Sequence, residues 1–480
     1  MKFENTVKNV YIRLKNIVEK EYKKKDYEKV LLHISILSNY MYKYNLVYAD
    51  KRLDEILMNI GNKYKNIKKY QAEEKTVVLY DWFGLDNRCL SLIYAKALNE
   101  LGYKIIYITV NKNRRNYERI HKEVIKSGGK LYVIPQESNI RMIKTIYKII
   151  SKEKPRYAFL HDAIKDVSGK AAFSALDGIV ERYQIVLSDH AFMLGTKAFD
   201  YSIEFRDIGY AKSYRKRKIE KEKLVILPFY PAPNMEIEFN GFPFETAGKR
   251  IIYSGGFLYK IYGKDEYFNM ASYILDNFDD TIIYYTGNGD AGFLIDWIKK
   301  KGYENRFYYE PERTDLEQVI RRCYFFLNTY PVGGGLMAQY AIQNGKIPVS
   351  LADDKQQIIQ LFLKNNKYDF VFENYDDAIK KIDELLRNKG AVDILESEIE
   401  KLIISEKEFT VELSKIMDSH TSKYTKGIDM NDYMDYKRMS LDRYKNDYKL
   451  LLELISTRDN NLKYKFLDIY VLSLLQKYMK

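Results

Sequence analysis

The sequence predicts an α/β protein with two parallel β-sheets in tandem and helical segments at both ends. From residue 76 to about residue 388, short runs rich in Val, Ile and Tyr alternate with amphipathic segments of helical period. The stretch "LPFYPAPNMEIEFNGFPF" interrupts this alternation once and holds four of the nine prolines. Residues 1–60 contain neither glycine nor proline, which favours helix.

Residues 1–72 are predicted to form a helical extension. Apolar side chains recur at helical spacing in "VLLHISILSNYMYKYNLVYADKRLDEILMNIG", and Gly61 is predicted to end this helix. His33 lies on the apolar face, and we interpret it as a packed core histidine.

The first α/β domain is predicted over residues 73–235. Strands are expected in "TVVLY", "KIIYIT", "KLYVI", "RYAFL" and "YQIVLS", and the helices between them indicate βαβ units and a parallel sheet. Ligands of such sheets bind beyond the carboxyl ends of the strands. The polar residues expected there are Asp86, Asn87, Arg88, His161, Asp162, Asp189 and His190.

Two of these residues are histidines next to aspartates. A histidine–aspartate neighbour at a strand end can act as a general base or hold sugar hydroxyls, and it can equally be a hydrogen-bonded surface or interdomain pair. The basic run from Lys212 to Lys218 is interpreted as a solvated face, with a phosphorylated acceptor or a membrane surface as the alternatives.

The second α/β domain is predicted over residues 248–390, with strands in "RIIYSGG", "TIIYYTGNGD", "RFYY", "YFFLNT", "IPVS" and "FVF". Three of its strand-to-helix turns are rich in glycine. Glycine lets backbone N–H groups approach a ligand, and a helix N-terminus adds partial positive charge, so such turns can cradle a diphosphate. The candidate residues are Ser254, Gly255, Gly256, Lys260, Lys264, Gly287, Gly333, Gly334 and Gly335.

Residues 391–480 are predicted to form a charged helical segment. Together with the N-terminal extension, this segment has three interpretations: recruitment of an acceptor, formation of a homo-oligomer, or contact with a membrane surface. The sequence does not choose among them.

Composition narrows the class of function. The net charge is +13, but no zinc finger, RNA-recognition signature or arginine-rich arm is present, so nucleic-acid binding is not expected. The two cysteines form neither a disulfide framework nor a zinc cluster, and no metal-site spacing is seen. No transmembrane helix and no secretory signal are expected, which predicts a cytoplasmic protein, with the inner face of the membrane as an alternative.

Two Rossmann-like domains, a proline-rich link and a glycine-rich second domain together resemble the GT-B glycosyltransferases, in which two such domains face a cleft. The likeness covers Thr76 to Asn388. Within it, Tyr324 to Ser350 looks most like the nucleotide-sugar half of the glycosyltransferase group 1 type, with "NGKIPVS" as the matching final strand. The resemblance implies a metal-independent transfer from a UDP- or GDP-sugar to a glycan, lipid-linked or protein acceptor, in cell-surface glycan biosynthesis.

The resemblance also implies roles for individual residues. It places "SGG", Lys260 and Lys264 near the donor phosphates and His190, with Asp189, near the transferred sugar. Many retaining members carry two glutamates around the glycine turn; here they are missing, and Gln339 is the residue left to bind ribose. A nucleotide-sugar epimerase of the same fold and a catalytically silent binding scaffold therefore stay as alternatives, and retention or inversion stays open.

Overall fold

The computed structural model divides the chain into two compact units. The first unit comprises Met1–Leu227 and Thr410–Lys480, and the second comprises Pro228–Phe409. The structure describes residues 2–86, 90–232, 234, 236–364, 368–388, 390, 392, 396, 398–431 and 435–478.

The first unit contains a seven-stranded parallel sheet in the order β3-β2-β1-β4-β5-β6-β7. The five predicted runs form β1 to β5. β6 and β7 extend the edge and were not predicted, because they flank the basic run from Lys212 to Lys218, which is interpreted from the sequence as a solvated face. The strands are β1 Glu73–Asp81, β2 Lys104–Thr109, β3 Lys130–Val133, β4 Pro155–His161, β5 Glu181–Ile185, β6 Tyr201–Glu204 and β7 Leu224–Ile226.

Eight helices accompany this part of the chain among the described residues. The Asp50 side chain accepts hydrogen bonds from the N–H groups of Arg52 and Leu53, at 3.0 and 3.3 Å, and so begins α3. The helices are α1 Lys2–Lys23, α2 Tyr27–Tyr44, α3 Lys51–Tyr64, α4 Leu90–Glu100, α5 Glu118–Lys126, α6 Asn139–Glu153, α7 Val167–Ser174 and α8 Asp207–Arg215.

The prediction that Gly61 ends its helix is wrong, because α3 continues to Tyr64. A carbon at the side-chain position of Gly61 would lie 2.0 Å from the carbonyl oxygen of Ala171 in α7. Glycine is therefore required here by close helix packing and not by helix termination.

The second unit contains a six-stranded parallel sheet in the order β10-β9-β8-β11-β12-β13. All six predicted runs form strands. These are β8 Arg250–Gly255, β9 Thr281–Thr286, β10 Phe307–Glu310, β11 Phe325–Leu327, β12 Pro348–Leu351 and β13 Val371–Phe372. Its helices are α9 Glu266–Asn277, α10 Gly292–Lys301, α11 Leu316–Arg321, α12 Gly335–Gln343, α13 Gln356–Ile359 and α14 Tyr375–Arg387.

The C-terminal segment adds helices to the first unit and shares its core. The ring of Phe3 in α1 meets the ring of Tyr448 edge-on at 5.5 Å. His33 is buried, as predicted for a core residue, and its Nε2 lies 3.3 Å from the carboxylate of Asp459. The helices are α15 Glu406–Ser419, α16 Tyr436–Arg443, α17 Tyr448–Ser456, α18 Leu462–Lys465 and α19 Leu467–Tyr478.

Membrane-spanning helices were sought among the described residues. None of the helices there combines the length and the apolar character needed to cross a bilayer.

Candidate functional site

The central strands of the second unit's sheet define the first part of the site. β8 and β11 are neighbours in the middle of the sheet. From β8 the chain continues to β9 on one side, and from β11 it continues to β12 on the other side. In open parallel sheets, ligands bind beyond the carboxyl ends of the strands where the strand order reverses in this way. β8 ends at Gly255 and β11 at Leu327, so the turns after these two residues form the candidate site.

Gly256 is the first residue beyond β8, and its backbone conformation favours glycine. Its φ angle is +138°, which side chains rarely adopt. A carbon at its side-chain position would lie 3.8 Å from Lys260 Nζ and 3.8 Å from Thr329 Cγ2. The Lys260 carbonyl oxygen accepts a hydrogen bond from Val332 N at 3.2 Å. The turns after β8 and β11 therefore converge, and the Lys260 ammonium group lies beside Gly256.

The charge of Lys260 is not compensated by the described part of the chain. Its side chain is half-buried, and burial lowers its pKa, with no described charge or hydrogen bond offsetting that effect. A cation removed from water without a carboxylate is unfavourable. This position therefore suits an anionic ligand.

Lys264, four residues further on, is in the opposite situation. Its Nζ donates to the two carboxylate oxygens of Asp353 at 2.9 and 3.0 Å and to the Tyr330 hydroxyl at 2.8 Å. Burial alone would lower its pKa, but these hydrogen bonds raise the pKa of Lys264 to about 12. Lys264 therefore joins the turn after β8 to Asp353, which follows β12.

Asn328 fixes the turn that follows β11. Its Oδ1 accepts hydrogen bonds from the N–H groups of Thr329 and Gly334, both at 2.9 Å. Its Nδ2 donates to Ser350 Oγ at 2.9 Å. The Gly334 N–H, predicted to face a ligand, is thus already bound within the protein.

Neighbouring side chains explain two of the three consecutive glycines. A side-chain carbon at Gly333 would lie 2.8 Å from Ile358 Cδ1, and one at Gly335 would lie 2.5 Å from Leu361 Cδ1. Packing against apolar side chains therefore accounts for these two glycines, and their role in donor binding stays a prediction.

Gly287 and Ser254, also predicted as donor-binding residues, are enclosed. A side-chain carbon at Gly287 would lie 1.9 Å from the carbonyl oxygen of Gly256, so glycine is needed for the close approach of two turns. Ser254 is fully buried, and its Oγ accepts a hydrogen bond from the Tyr267 hydroxyl at 2.9 Å.

Gln339 lies on α12 with its side chain buried. Its Nε2 donates to the carbonyl oxygens of Phe229 and Leu361, at 3.3 and 3.1 Å. Its Oε1 is buried without a hydrogen-bond partner among the described residues. This enclosure favours a structural role over the predicted contact with ribose.

In the first unit, His190 follows β5 and remains partly exposed. Its side chain is 39% exposed, and its Nδ1 lies 3.5 Å from Asp189 Oδ1, which is too long for a strong hydrogen bond. The ring lies 6.2 Å from the ring of Tyr42 and 5.0 Å from that of Tyr436. His190 is therefore held by aromatic neighbours and is accessible for chemistry.

Asp189 is enclosed and ionised. Arg206 Nη2 donates to its Oδ1 at 3.1 Å, and Arg217 Nη2 donates to its carbonyl oxygen at 3.1 Å. Burial would raise the pKa of this carboxyl, but the charge and hydrogen bonds of Arg206 hold it well below its usual range. Its enclosure favours a positioning role behind His190 over direct contact with a substrate.

His161 lies at the carboxyl end of β4 and is completely buried. Its Nδ1 lies 3.0 Å from Asp81 Oδ1 and 2.7 Å from Ser91 Oγ, and the Tyr107 hydroxyl donates to Asp81 Oδ2 at 2.6 Å. These contacts bind the ends of β1, β2 and β4 to the start of α4. They favour a structural role for His161 over the predicted contact with an acceptor.

Asp86 also has a local structural partner. Its carboxylate accepts hydrogen bonds from the N–H groups of Arg119 and Ile120, at 3.0 and 3.2 Å, and thereby caps the first turn of α5. Asn87 and Arg88, predicted with it, lie outside the described residues.

A cavity of about 410 Å³ lies within the first unit at the carboxyl ends of β4 and β5. Three polar side chains that bond to one another line one part of the cavity. Lys170 Nζ lies 2.8 Å from Asp162 Oδ2 and donates to Gln184 Oε1 at 2.6 Å. Gln184 Nε2 in turn donates to Asp162 Oδ1 at 3.2 Å. The rings of Tyr42 and Phe83 line other parts of the cavity. Aromatic faces and fixed polar groups are the usual lining of a small-molecule site.

No protein-family model matches the sequence, and no curated protein matches it significantly. Solved structures do match its fold. Anabaena HepE in complex with UDP and glucose superposes with a TM-score of 0.54 at 10% identity, over 72% of this chain and all of the other. A mutant of the Thermobaculum terrenum O-GlcNAc transferase superposes with a TM-score of 0.52 at 14% identity, over 91% of this chain and 81% of the other. The protein has the GT-B fold.

The GT-B fold alone does not specify the reaction. A Listeria monocytogenes protein assigned as a UDP-N-acetylglucosamine 2-epimerase also matches, with a TM-score of 0.50 at 12% identity, over 75% of this chain and 99% of the other. The reaction therefore has to be argued from the side chains of this GT-B protein.

The structure brings some predicted residues of this GT-B protein to open positions and encloses others. Gly256 and Lys260 adjoin the turn after β11, Asp162 lines the cavity, and His190 is partly exposed. Within the described ranges, no group of three His, Cys, Asp or Glu side chains is placed to hold a metal ion. The predicted residues enclosed by neighbours are Asp189, His161, Ser254, Gly255, Gly287, Gly334 and Gln339.

Sequence reasoning missed several residues that shape the two sites. Asp353 follows the run "IPVS" in "LADD", a carboxylate just beyond a strand, so the strand-end rule that selected Asp162 could have found it. Lys170 and Gln184 carry no such signal. Gln184 lies inside a strand and Lys170 inside a helix, and only the fold brings their polar atoms together.

Proposed function

We propose that this GT-B protein is a glycosyltransferase that moves a sugar from a nucleoside diphosphate sugar to an acceptor hydroxyl. The observation that carries the proposal is the half-buried, uncompensated ammonium group of Lys260 beside Gly256, at the point where the strand order reverses. A diphosphate supplies the negative charge that this position lacks. UDP- and GDP-sugars are the proposed donors, and the UDP and glucose bound to the structurally similar HepE support this choice.

In the proposed reaction, the bond between the anomeric carbon of the sugar and the diphosphate oxygen breaks. A bond between that carbon and the acceptor oxygen forms. The nucleoside diphosphate leaves with both electrons of the broken bond, so negative charge grows on it in the transition state. A preorganised cation at Lys260 stabilises that charge. The scheme assigns this role to Lys260, without a metal ion.

The first unit is proposed to bind the acceptor. The cavity beside Asp162 offers aromatic faces and hydrogen-bonding groups to a glycan, a lipid-linked sugar or a protein side chain. His190 Nε2 accepts the proton that the acceptor hydroxyl loses, because Nδ1 is turned toward Asp189. The ionised Asp189 carboxylate then stabilises the imidazolium that forms.

Epimerisation of a nucleotide-sugar is the second candidate, favoured by the structural match to the Listeria protein. Such chemistry needs acid and base groups beside the sugar. Asp353 is a carboxylate at this edge of the sheet, but it accepts hydrogen bonds from Lys264 and Tyr330. Glycosyl transfer therefore explains the available groups better, and a silent nucleotide-binding scaffold is the third outcome to be tested.

Isothermal titration calorimetry with UDP and GDP tests the diphosphate site. Lys260→Met keeps the length of the side chain and removes its charge, and we expect it to weaken binding by roughly tenfold or more, since a charge-assisted hydrogen bond contributes about 1.5–3 kcal/mol. Lys300→Met, at an exposed position of α10, is the matched control and should bind like the wild type. Binding of neither nucleotide by the wild type would contradict the proposal.

Product analysis separates the three outcomes. With the UDP- or GDP-sugar that binds and a mixture of glycan acceptors, a transferase releases the nucleoside diphosphate and extends an acceptor. An epimerase converts the nucleotide-sugar without any acceptor. Binding without turnover in either assay would identify a scaffold.

A further inference from the structure

The last helix of the chain exposes apolar side chains along one face. In α19, Leu467, Val471, Leu474 and Leu475 are 56%, 51%, 36% and 52% exposed, and Leu472, which flanks them, is 36% exposed. Their spacing of four, three and one residues places them on one side of a helix. Tyr464, in the preceding helix α18, is 62% exposed. We call the four α19 residues the outer face.

The opposite side of α19 packs in the hydrophobic core of the first unit. Phe466, just before the helix, and Ile469, in its first turn, are 0% and 1% exposed. Both belong to the same core cluster as Leu451 and Ile455 of α17. A helix that is apolar all round is normally covered on every side. The outer face contributes nothing to this core, and contiguous exposed apolar surface usually marks a contact with another surface.

The outer face is set among basic elements. Residues 2–25 carry eight Lys or Arg against three Glu, and residues 436–478 carry nine Lys or Arg against five Asp or Glu. α1 and α19 are adjacent, because Arg13 lies 4.2 Å from the centre of the Phe466 ring and 2.9 Å from the Asp468 carboxylate. Arg13 thereby also balances Asp468, the one acidic residue of α19.

We propose that the outer face of α19 docks on the surface of an anionic lipid bilayer. Apolar side chains of a surface helix enter the boundary between headgroups and acyl chains, and each nearby Lys or Arg adds about 1 kcal/mol of attraction to anionic lipid. A second copy of the chain fits less well, because pairing through this face would bring two basic surfaces together. The inference does not depend on the proposed glycosyl transfer.

Flotation of the full chain with vesicles tests the proposal. Phosphatidylcholine vesicles, with and without phosphatidylglycerol, are compared for the wild type, Val471→Glu and the control Val411→Glu. Val411 lies on α15 and is 46% exposed, so the two variants make the same chemical change at similar exposure. We expect salt-sensitive binding to the anionic vesicles, weakened by roughly tenfold or more in Val471→Glu and unchanged in Val411→Glu.

The other outcomes overturn the proposal. If the wild type does not bind vesicles, or if both variants bind equally well, the outer face is not a lipid-docking surface. If light scattering shows a wild-type dimer that Val471→Glu converts to a monomer, the occupant is a second copy. Circular dichroism of each variant excludes a loss of binding through unfolding.

Discussion

At the scale of single residues, Lys260 combines a functional position with an energetic cost. Its ammonium group is half-buried without a described partner, whereas Lys264, four residues away, binds Asp353 and Tyr330. Binding sites often hold groups in environments that destabilise the free protein. The two lysines therefore predict stability changes of opposite sign.

We expect Lys260→Met to raise the free energy of unfolding of the ligand-free protein by about 1 kcal/mol, because it removes an uncompensated, half-buried charge. Lys264→Met should lower it by about 0.5–1 kcal/mol, because it removes a partly exposed ion pair. Urea unfolding followed by circular dichroism measures both changes. A destabilised Lys260→Met would show that the charge has a partner in solution.

Asp166 gives a prediction about pH. Its carboxylate accepts hydrogen bonds from the Tyr80 hydroxyl at 2.7 Å and from Gly169 N at 2.8 Å. Burial, with the charge of Asp162, raises its pKa to about 7. Between about pH 4 and pH 7 the folded state therefore keeps a proton that the unfolded state has lost, so this group's contribution to stability falls as pH rises through that window.

Asp166→Asn removes this titration and keeps an oxygen for the Gly169 N–H group. The free energy of unfolding of the variant, minus that of the wild type, should therefore increase by roughly 2–4 kcal/mol between pH 4 and pH 7.5. Urea unfolding of both proteins across this range measures the difference, in which the other titrating groups cancel. A difference that is constant with pH would contradict a raised pKa.

At the scale of elements, the packing of α3 on α7 depends on Gly61. Alanine in a helix is normally more stable than glycine by about 0.5–1 kcal/mol. Here its β-carbon would lie 2.0 Å from the Ala171 carbonyl oxygen, a backbone atom that cannot move alone. We expect Gly61→Ala to lower the free energy of unfolding by about 1–3 kcal/mol instead.

Gly292→Ala is the control for this reversal. Gly292 begins α10, and a carbon there meets only Asp290 Oδ1 at 3.4 Å. It should therefore be neutral or slightly stabilising. Thermal unfolding of both variants measures the changes. A Gly61→Ala variant as stable as the wild type would mean that α3 and α7 separate easily.

At the scale of the whole molecule, the two tryptophans report on different units. Trp82 lies in the first unit and Trp297 in the second, so Trp82→Phe and Trp297→Phe each leave one reporter. The proposed diphosphate site lies wholly in the second unit. UDP at about 100 times its Kd should therefore stabilise the transition seen by Trp297 by about 2.7 kcal/mol and leave that seen by Trp82 unchanged. Equal shifts of both transitions would contradict a site confined to the second unit.

Local patterns were enough to predict most of the architecture. The six strands of the second sheet were all predicted, because each is a β-rich run ending in a turn or before a helix. β6 and β7 were missed because they flank a basic run that is interpreted from the sequence as a solvated face. The role of Gly61 was missed because the residue that demands it, Ala171, lies 110 positions away.

The residues alone therefore determined the alternation of strands and helices, the two sheets and the polar turns at the strand ends, because these depend on neighbours within a few positions. Tertiary structure decided which side chains remain available. Lys260 and Lys264 look alike in the sequence, and only the fold places Asp353 against one of them. Similarly, the two outer glycines of Gly333–Gly335 are explained by Ile358 and Leu361. Burial and charge pairing are set by contacts between distant segments, and these contacts exist only once the chain has folded.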